Sequence, residues 1–302
     1  MAQPKGTNMM NDRQTAVTVL IATYNKSSAL RYAIESVLWQ TFTDFELWVI
    51  GDGCTDDTAE VVASYTDPRI HWHNLPQNTG DQSEPHNEGL RRAQGQYIAY
   101  LNHDDLWLPT HLQTLVTHLE QTGADFVFSI LEWIIPGRDP YVLIPDYPVA
   151  PIPPEATATL HRKDVIETIG YWRRPEETYS FPRADYFRRA QFAGKRFELV
   201  PALTALKFGI SKKGYGELVQ QPEYMARIRR DPDFAHKELA PILVRVQLEL
   251  ENHVRPKRIA AQSVMTLKRW MARRGLDPAR IRFWQSRGQR IRQWRRGHGL
   301  EG

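Results

Sequence analysis

Asn102, His103, Asp104 and Asp105 stand together where an apolar run, Tyr97 to Leu101, stops. Two adjacent carboxylates at the end of a buried strand offer oxygen donors to a hard divalent cation. Mg²⁺ and Mn²⁺ commonly take one or two protein carboxylates and complete their shells with phosphate oxygens, so the quartet points to a nucleoside diphosphate as the third party. The competing reading is structural: Asp is favoured at a helix N-cap and Pro in the first turn, and Leu106-Trp107-Leu108-Pro109 follows. The pair alone leaves both readings open.

The elements that must position these residues follow from periodicity. Ala16 to Ala22 is apolar and β-branched, the pattern of a central parallel strand buried on both faces. It runs into a polar loop, Thr23 to Ser28, and then a helix over 28–40 with Leu30, Ala33, Ile34, Val37 and Leu38 on one face. Phe45 to Ile50 is a second strand ending in the loop Gly51 to Asp56, Thr58 to Tyr65 a helix, and Ile70 to Asn74 a third strand. This alternation is the α/β pattern, in which ligands sit beyond the carboxyl ends of the strands. Asn78 to Gly80 reads as a turn, His86 to Ala93 as a helix, Pro109 to Thr122 as a helix and Asp125 to Trp133 as a strand. Eight prolines or glycines in 136–157 predict an irregular connection. Order resumes over 157–169, Gly170 ends a helix, and a helix over 185–193 and a strand over 197–207 follow.

Beyond Lys207 the character changes. Residues 208–223 carry Gly and Lys, and 231–253 read as a long helix that Pro256 breaks before two arginine-rich helical pieces, 259–275 and 278–296. The predicted organisation is a lead-in over 1–15, an α/β domain over 16–207, a mobile lid or linker over 208–230 and a helical extension over 231–302. Residues 255–302 carry fourteen Lys or Arg against Asp277 and Glu301, a balance of +12 that leaves −8 for residues 1–254 of a +4 total. Trp270, Trp284 and Trp294 among those arginines suit an anionic membrane surface, the acidic body or a second subunit in a homodimer. Nucleic acid is disfavoured as a partner, because no binding motif accompanies the tail and the body is acidic. The one cysteine, Cys54, excludes an intrachain disulfide and a multi-cysteine metal site. With no apolar run approaching the roughly 18 to 20 residues of a membrane span, and no apolar centre of a signal peptide in 1–14, the expected location is cytoplasmic, with the inner membrane face as the alternative.

Five motifs in order carry a resemblance: Val17 to Asn25, Gly51 to Asp56, Asn78 to Gly80, His86 to Gly89 and Tyr100 to Asp105. Together they resemble the GT-A-fold family 2 glycosyltransferases over residues 16–110, with a weaker likeness through Leu160 to Gly170 and Ala184 to Ala190. The resemblance implies a Rossmann-like, mostly parallel sheet flanked by helices. It also implies an inverting transfer of a sugar from a uridine or deoxythymidine diphosphate donor to a hydroxyl of a glycan, a lipid-linked saccharide or a small molecule. On that likeness Ala22, Thr23, Tyr24, Asn25, Asp52, Asn78, Gly80, Asn87, Asn102, His103 and Asp104 would line the donor, with Asp52 accepting from the imide N–H of the base. Asp104 and Asp105 would hold Mn²⁺ or Mg²⁺. Asn102 departs from the family's DxD pattern by losing a charge while keeping an oxygen, which puts the metal mainly on Asp104. Lys207 and Lys212, with Lys213, would offset diphosphate charge from a lid, or else lie in a solvated loop. Asp185 would be the general base, with Glu176 and Glu177 as substitutes, although Ala184 replaces the acidic or amide residue often found before it, and a plain helix-capping role is the alternative. A non-catalytic nucleotide-sugar-binding scaffold recruited by its tail is the second functional reading. A nucleotidyltransferase is the third, against which stands Thr23-Tyr24-Asn25 where a Gly-rich phosphate loop would be.

Overall fold

The computed structural model describes residues 15–143, 153–209 and 220–252, together with Arg274. Lys212, Lys213, residues 1–14 of the lead-in and, apart from Arg274, the two arginine-rich pieces lie outside them. The strands are β1 (Val17–Thr23), β2 (Phe45–Gly51), β3 (Ile70–Asn74), β4 (Tyr97–Tyr100), β5 (Leu106–Trp107), β6 (Phe126–Ile134), β7 (Tyr141–Leu143), β8 (Thr159–Arg162) and β9 (Phe197–Phe208). They form one sheet in the order β3-β2-β1-β4-β8-β6-β9-β5, with β7 on β6. β1 pairs in parallel with β2 and β4, β2 with β3, and β6 with β9, while β8 runs antiparallel between β4 and β6. Two reversals restore direction, so β1, β2, β3, β4, β6 and β9 all bring their carboxyl ends to one edge.

The helices are α1 (Ser27–Leu38), α2 (Thr58–Ala63), α3 (Ser83–Arg92), α4 (His111–Thr122), α5 (Val165–Ile169), α6 (Pro182–Phe192), α7 (Gln221–Arg230) and α8 (Phe234–Asn252). Alternation along β4 explains the layering: Tyr97, Ala99 and Leu101 face a core with Leu30, Ile34, Leu112 and Leu119, while Ile98 and Tyr100 face Leu90, Trp172, Tyr186 and Phe187. A third core joins Leu106, Ile130, Leu206 and Phe208 to Tyr224, Met225 and Ile228 of α7.

Two expectations change here. The Asp104-Asp105 pair does not cap a helix: Leu106 and Trp107 pair with Leu206 and Ala205 as a short antiparallel strand, and α4 begins after Thr110. The order expected over 157–169 takes the form of a 3-10 turn (Ala156–Ala158), β8 and the short α5, which ends at Gly170 as expected. Residues 221–230, expected within a lid or linker, are a helix with Tyr224, Met225 and Ile228 buried on the core.

Candidate functional site

After β3 the chain returns through α3 to β4 on the other side of β1, so the strand order reverses between β1 and β4. A crevice opens at such a reversal outside the carboxyl ends. The ring nitrogen Nδ1 of His103, beyond β4, lies 3.2 Å from the Ala22 carbonyl near the end of β1 and donates to it. The Asp52 N–H donates to the Thr23 carbonyl at 2.8 Å, tying the loop after β2 to the same strand. Asn25 adopts φ 48°, a left-handed conformation that Asn tolerates, and its Oδ1 accepts the Thr55 N–H at 2.8 Å. The loops after β1, β2 and β4 are thus one bonded unit. Tyr24 on it is 46% exposed, and the buried Thr23 hydroxyl has no hydrogen-bond partner among the described residues.

Asp52 is buried, and the Asn78–Gly80 turn occupies its carboxylate. Thr79 donates to Oδ1 through its N–H (2.9 Å) and hydroxyl (2.7 Å), and Asn78 Nδ2 (3.1 Å) and the Gly80 N–H (3.2 Å) donate to Oδ2. These four bonds match the roughly four lone-pair sites of a carboxylate, so the role expected of Asp52 towards a base becomes one of organising the turn. Gly53 lets the turn come this close: its φ is 70°, and a Cβ there would collide with the backbone of Gln77 and Asn78. Gly53→Ala should lower stability by about 2–3 kcal/mol, left-handed strain and overpacking together, read as a shifted urea midpoint. Beside the turn lies a polar cavity of about 270 Å³ lined by Asn78, Thr79, Asp81, Ser83, Arg174 and Glu176 among others. None of Asp52, Asp104 and Asp185 lines it.

Asn87, expected at the donor, instead binds a backbone segment: its Oδ1 accepts the Trp172 N–H and its Nδ2 donates to the Trp172 carbonyl, each at 2.9 Å. It clasps the stretch before α6 to α3, and the Ser83 hydroxyl adds a bond to the Arg173 carbonyl at 3.0 Å.

Asp105, expected as a metal ligand, is fully buried. Its Oδ2 accepts Asn102 Nδ2 (2.7 Å) and the Thr157 hydroxyl (2.5 Å), its Oδ1 accepts the Phe208 N–H (3.0 Å), and Lys207 Nζ stands 3.5 Å from Oδ2. Burial pushes its carboxyl up, a shift that Lys207 opposes. Lys207 lies within β9, neither in a lid nor in a solvated loop; burial disfavours its charge, but Asp105, Glu155 and Asp104 outweigh that and raise it. Asp104 is the partly exposed carboxylate of this loop, and its backbone carbonyl accepts Gln221 Nε2 at 2.7 Å. Among the described residues no three His, Cys, Asp or Glu side chains group to hold an ion unaided. One open carboxylate still fits Mg²⁺ or Mn²⁺, which can draw most of its shell from phosphate and water.

Asp185 sits in the first turn of α6 and makes no capping bond. Its Oδ2 accepts Arg189 Nε at 2.8 Å, one helical turn on, while Oδ1 has longer contacts, 3.5 Å to Arg188 and 3.9 Å to Arg173. Arg189 also donates to the Ile169 and Tyr171 carbonyls, fixing α6 against the preceding loop. Of the substitutes, Glu177 accepts the Arg174 N–H at 2.8 Å in a local cap and Glu176 lines the cavity. The i, i+4 spacing of Asp185 and Arg189 was open to a sequence reading, whereas Thr157, Glu155 and Arg183 lie in or beyond the proline-rich connection and carry no local signal.

Among solved structures the chain is similar to S. aureus TarS 1–349 in complex with UDP-GlcNAc, with a TM-score of 0.56 and 17% identity over 80% of this chain and 77% of that one. That likeness carries the GT-A fold. Among curated proteins it is 32% identical over 125 residues to the uncharacterized glycosyltransferase YibD of Escherichia coli, covering 41% of this chain and 36% of the relative. It is 30% identical over 122 residues to the putative teichuronic acid biosynthesis glycosyltransferase TuaG of Bacillus subtilis, covering 40% and 48%, and 32% identical over 128 residues to the succinoglycan biosynthesis protein ExoO of Rhizobium meliloti, covering 42% and 36%. The chain therefore spans between a third and a half of the length of these relatives. The profile described as "Glycosyl transferase family 2" matches residues 18–191, more than half the chain, and the protein belongs to that family.

Proposed function

We propose that this protein transfers a sugar from a nucleoside diphosphate donor to a hydroxyl of a growing polysaccharide, inverting the anomeric carbon and depending on a divalent cation. The observation carrying this reading is the bonding of the loops after β1, β2 and β4 at the β1/β4 reversal, which leaves Asp104 partly exposed at the crevice. TuaG and ExoO, as polysaccharide biosynthesis proteins, favour a glycan acceptor.

Asp104 would hold the cation, and Asp105 would fix the loop from behind. The cation supplies positive charge for the departing diphosphate. The acceptor oxygen forms its bond to the anomeric carbon as the bond to the diphosphate oxygen breaks, and the acceptor proton passes to Oδ1 of Asp185. Arg189 orients that carboxylate through Oδ2. The turn on Asp52 and the Thr23-Tyr24 loop border the base.

Calorimetry with UDP, with and without Mn²⁺, tests the reading. Wild type should bind more tightly with Mn²⁺, and Asp104→Ala should lose about ten- to a hundredfold of that gain, the span seen when a metal's supporting groups are removed. Equal affinity with and without Mn²⁺ would remove the cation from the proposal. Absence of UDP and dTDP binding altogether would remove the donor.

A further inference from the structure

Between the candidate donor loop and the helix bearing Asp185 runs a buried chain of alternating charges. Asp105 faces Lys207 Nζ at 3.5 Å, and the same ammonium lies 3.6 Å from Glu155 Oε2. Glu155 Oε1 in turn accepts Arg183 NH2 at 2.7 Å, and Arg183 also donates to the Pro153 and Pro154 carbonyls. Arg183 is in the first turn of α6, two residues before Asp185. The four side chains are 0%, 16%, 16% and 13% exposed, so each charge depends on its neighbours for the solvation it has lost. β9 runs parallel to β6 and ends at the edge where β1, β2 and β4 end, which puts Lys207 between the two acids. The Trp133 ring lies 5.6 Å from the ammonium and limits where it can move.

We infer that Lys207 is a positioning residue: by bridging Asp105 and Glu155 it holds the Asn102–Asp104 loop and the start of α6 in one frame, fixing the separation of Asp104 and Asp185. The inference rests on the proposed roles of those two acids. It differs from a direct contact between Lys207 and the donor, because the ammonium is held by protein carboxylates. A displacement of about 1 Å between reacting groups can cost on the order of a hundredfold in rate, so a loosened frame should act on turnover more than on binding.

Two measurements on the full chain test this. The first is the double-mutant cycle of Lys207→Met and Glu155→Gln in thermal midpoint without ligand. The double variant should be no less stable than the worse single variant, whereas additive losses would overturn the bridge. The second is kinetic, with UDP-GlcNAc and water or acceptor. Lys207→Met should reduce kcat about ten- to a hundredfold with UDP affinity within threefold, and Lys207→Arg should recover most of kcat. Loss of UDP affinity with kcat unchanged would assign Lys207 to the donor instead. A kcat loss matched by Ile228→Ala, a core change on α7, at equal loss of thermal midpoint would reduce Lys207 to a stabilising role. Should Lys207→Met fail to fold, Glu155→Gln carries the same kinetic expectation. A wild type that binds no UDP would end the proposed function, while the stability cycle would still decide whether the bridge exists.

Discussion

Asp185→Asn should lower the rate of sugar transfer by about 10²- to 10⁴-fold, the usual share of a general base, while affinity for UDP stays within about twofold. The amide keeps the size of the carboxylate, and its oxygen still accepts from Arg189 Nε, the 2.8 Å bond that seats the residue. What it loses is the capacity to take a proton at Oδ1, the oxygen with the longer arginine contacts. kcat should therefore fall with little change in KM for the donor. The opposite pattern has its own structural cause. If Asp185 serves chiefly to gather Arg173, Arg188 and Arg189, neutralising it removes the common counter-charge of three guanidinium groups, and stability should drop while the rate per folded molecule is kept. Pre-steady-state transfer with folded, purified variant separates the cases, and turnover within threefold of wild type would remove Asp185 as the base.

How far the sequence led is clearest at particular residues. β1 and β2 could be read because apolar β-branched runs between polar loops have few other solutions, and β3, Ile-His-Trp-His-Asn, falls on its expected limits, Ile70–Asn74. Leu106-Trp107 misled: beside Asp105 and Pro109 they imitate a helix start, and what makes them a strand is β9, about a hundred residues away. Four-residue β8 is too short for a period to declare itself, and its partners β4 and β6 are both non-local. In α7 the Gly- and Lys-bearing surroundings obscured Tyr224, Met225 and Ile228, although their spacing is helical. At the site, the sequence identified Asp104 and Asp52 as strand-end acids but could not show which carboxylates would be saturated. The Asn78–Gly80 turn takes Asp52, and Thr157, Lys207 and Phe208 take Asp105, all from distant parts of the chain. Lys207 looked like a loop cation because its counter-ion Glu155 lies within the proline-rich connection, where no period marks it.

Acid should unfold this protein early, through three histidines with no part in the proposed chemistry. His86, His111 and His161 are buried. Burial holds His86 and His111 down to about 3 and His161 to about 4, against an ordinary value near 6.5. His111 stacks on Trp107 at 4.2 Å and meets the Thr204 hydroxyl at 2.7 Å, and His161 meets the Tyr100 hydroxyl at 3.0 Å, so neither has room for the water a charged ring would need. A depressed folded value means that the neutral ring favours the native state. That contribution is complete above the unfolded value, near pH 6.5, and is lost as pH falls towards 4, because the unfolded chain takes up protons that the native chain refuses. At pH 5 each ring costs about 2 kcal/mol, or about 6 kcal/mol for three. Glu132 works the other way: buried with no hydrogen-bond partner among the described residues and pushed up to about 7, it binds its proton in the native state first. Its contribution is full below the unfolded carboxylate range and fades as pH rises through 7, so acidification to pH 5 returns about 2 kcal/mol. From these four groups the loss between pH 7.5 and 5 is about 4 kcal/mol, a large part of the 5–15 kcal/mol that holds a typical domain. Urea midpoints measured across that range should fall steeply, and His111→Gln should flatten the curve by about one ring's share, 2 kcal/mol, whatever it does to stability at pH 7.5. A midpoint that stays level from pH 6.5 to 5 would mean that these rings are solvated in the native protein and that the core around Trp107 and Tyr100 is looser than its packing implies.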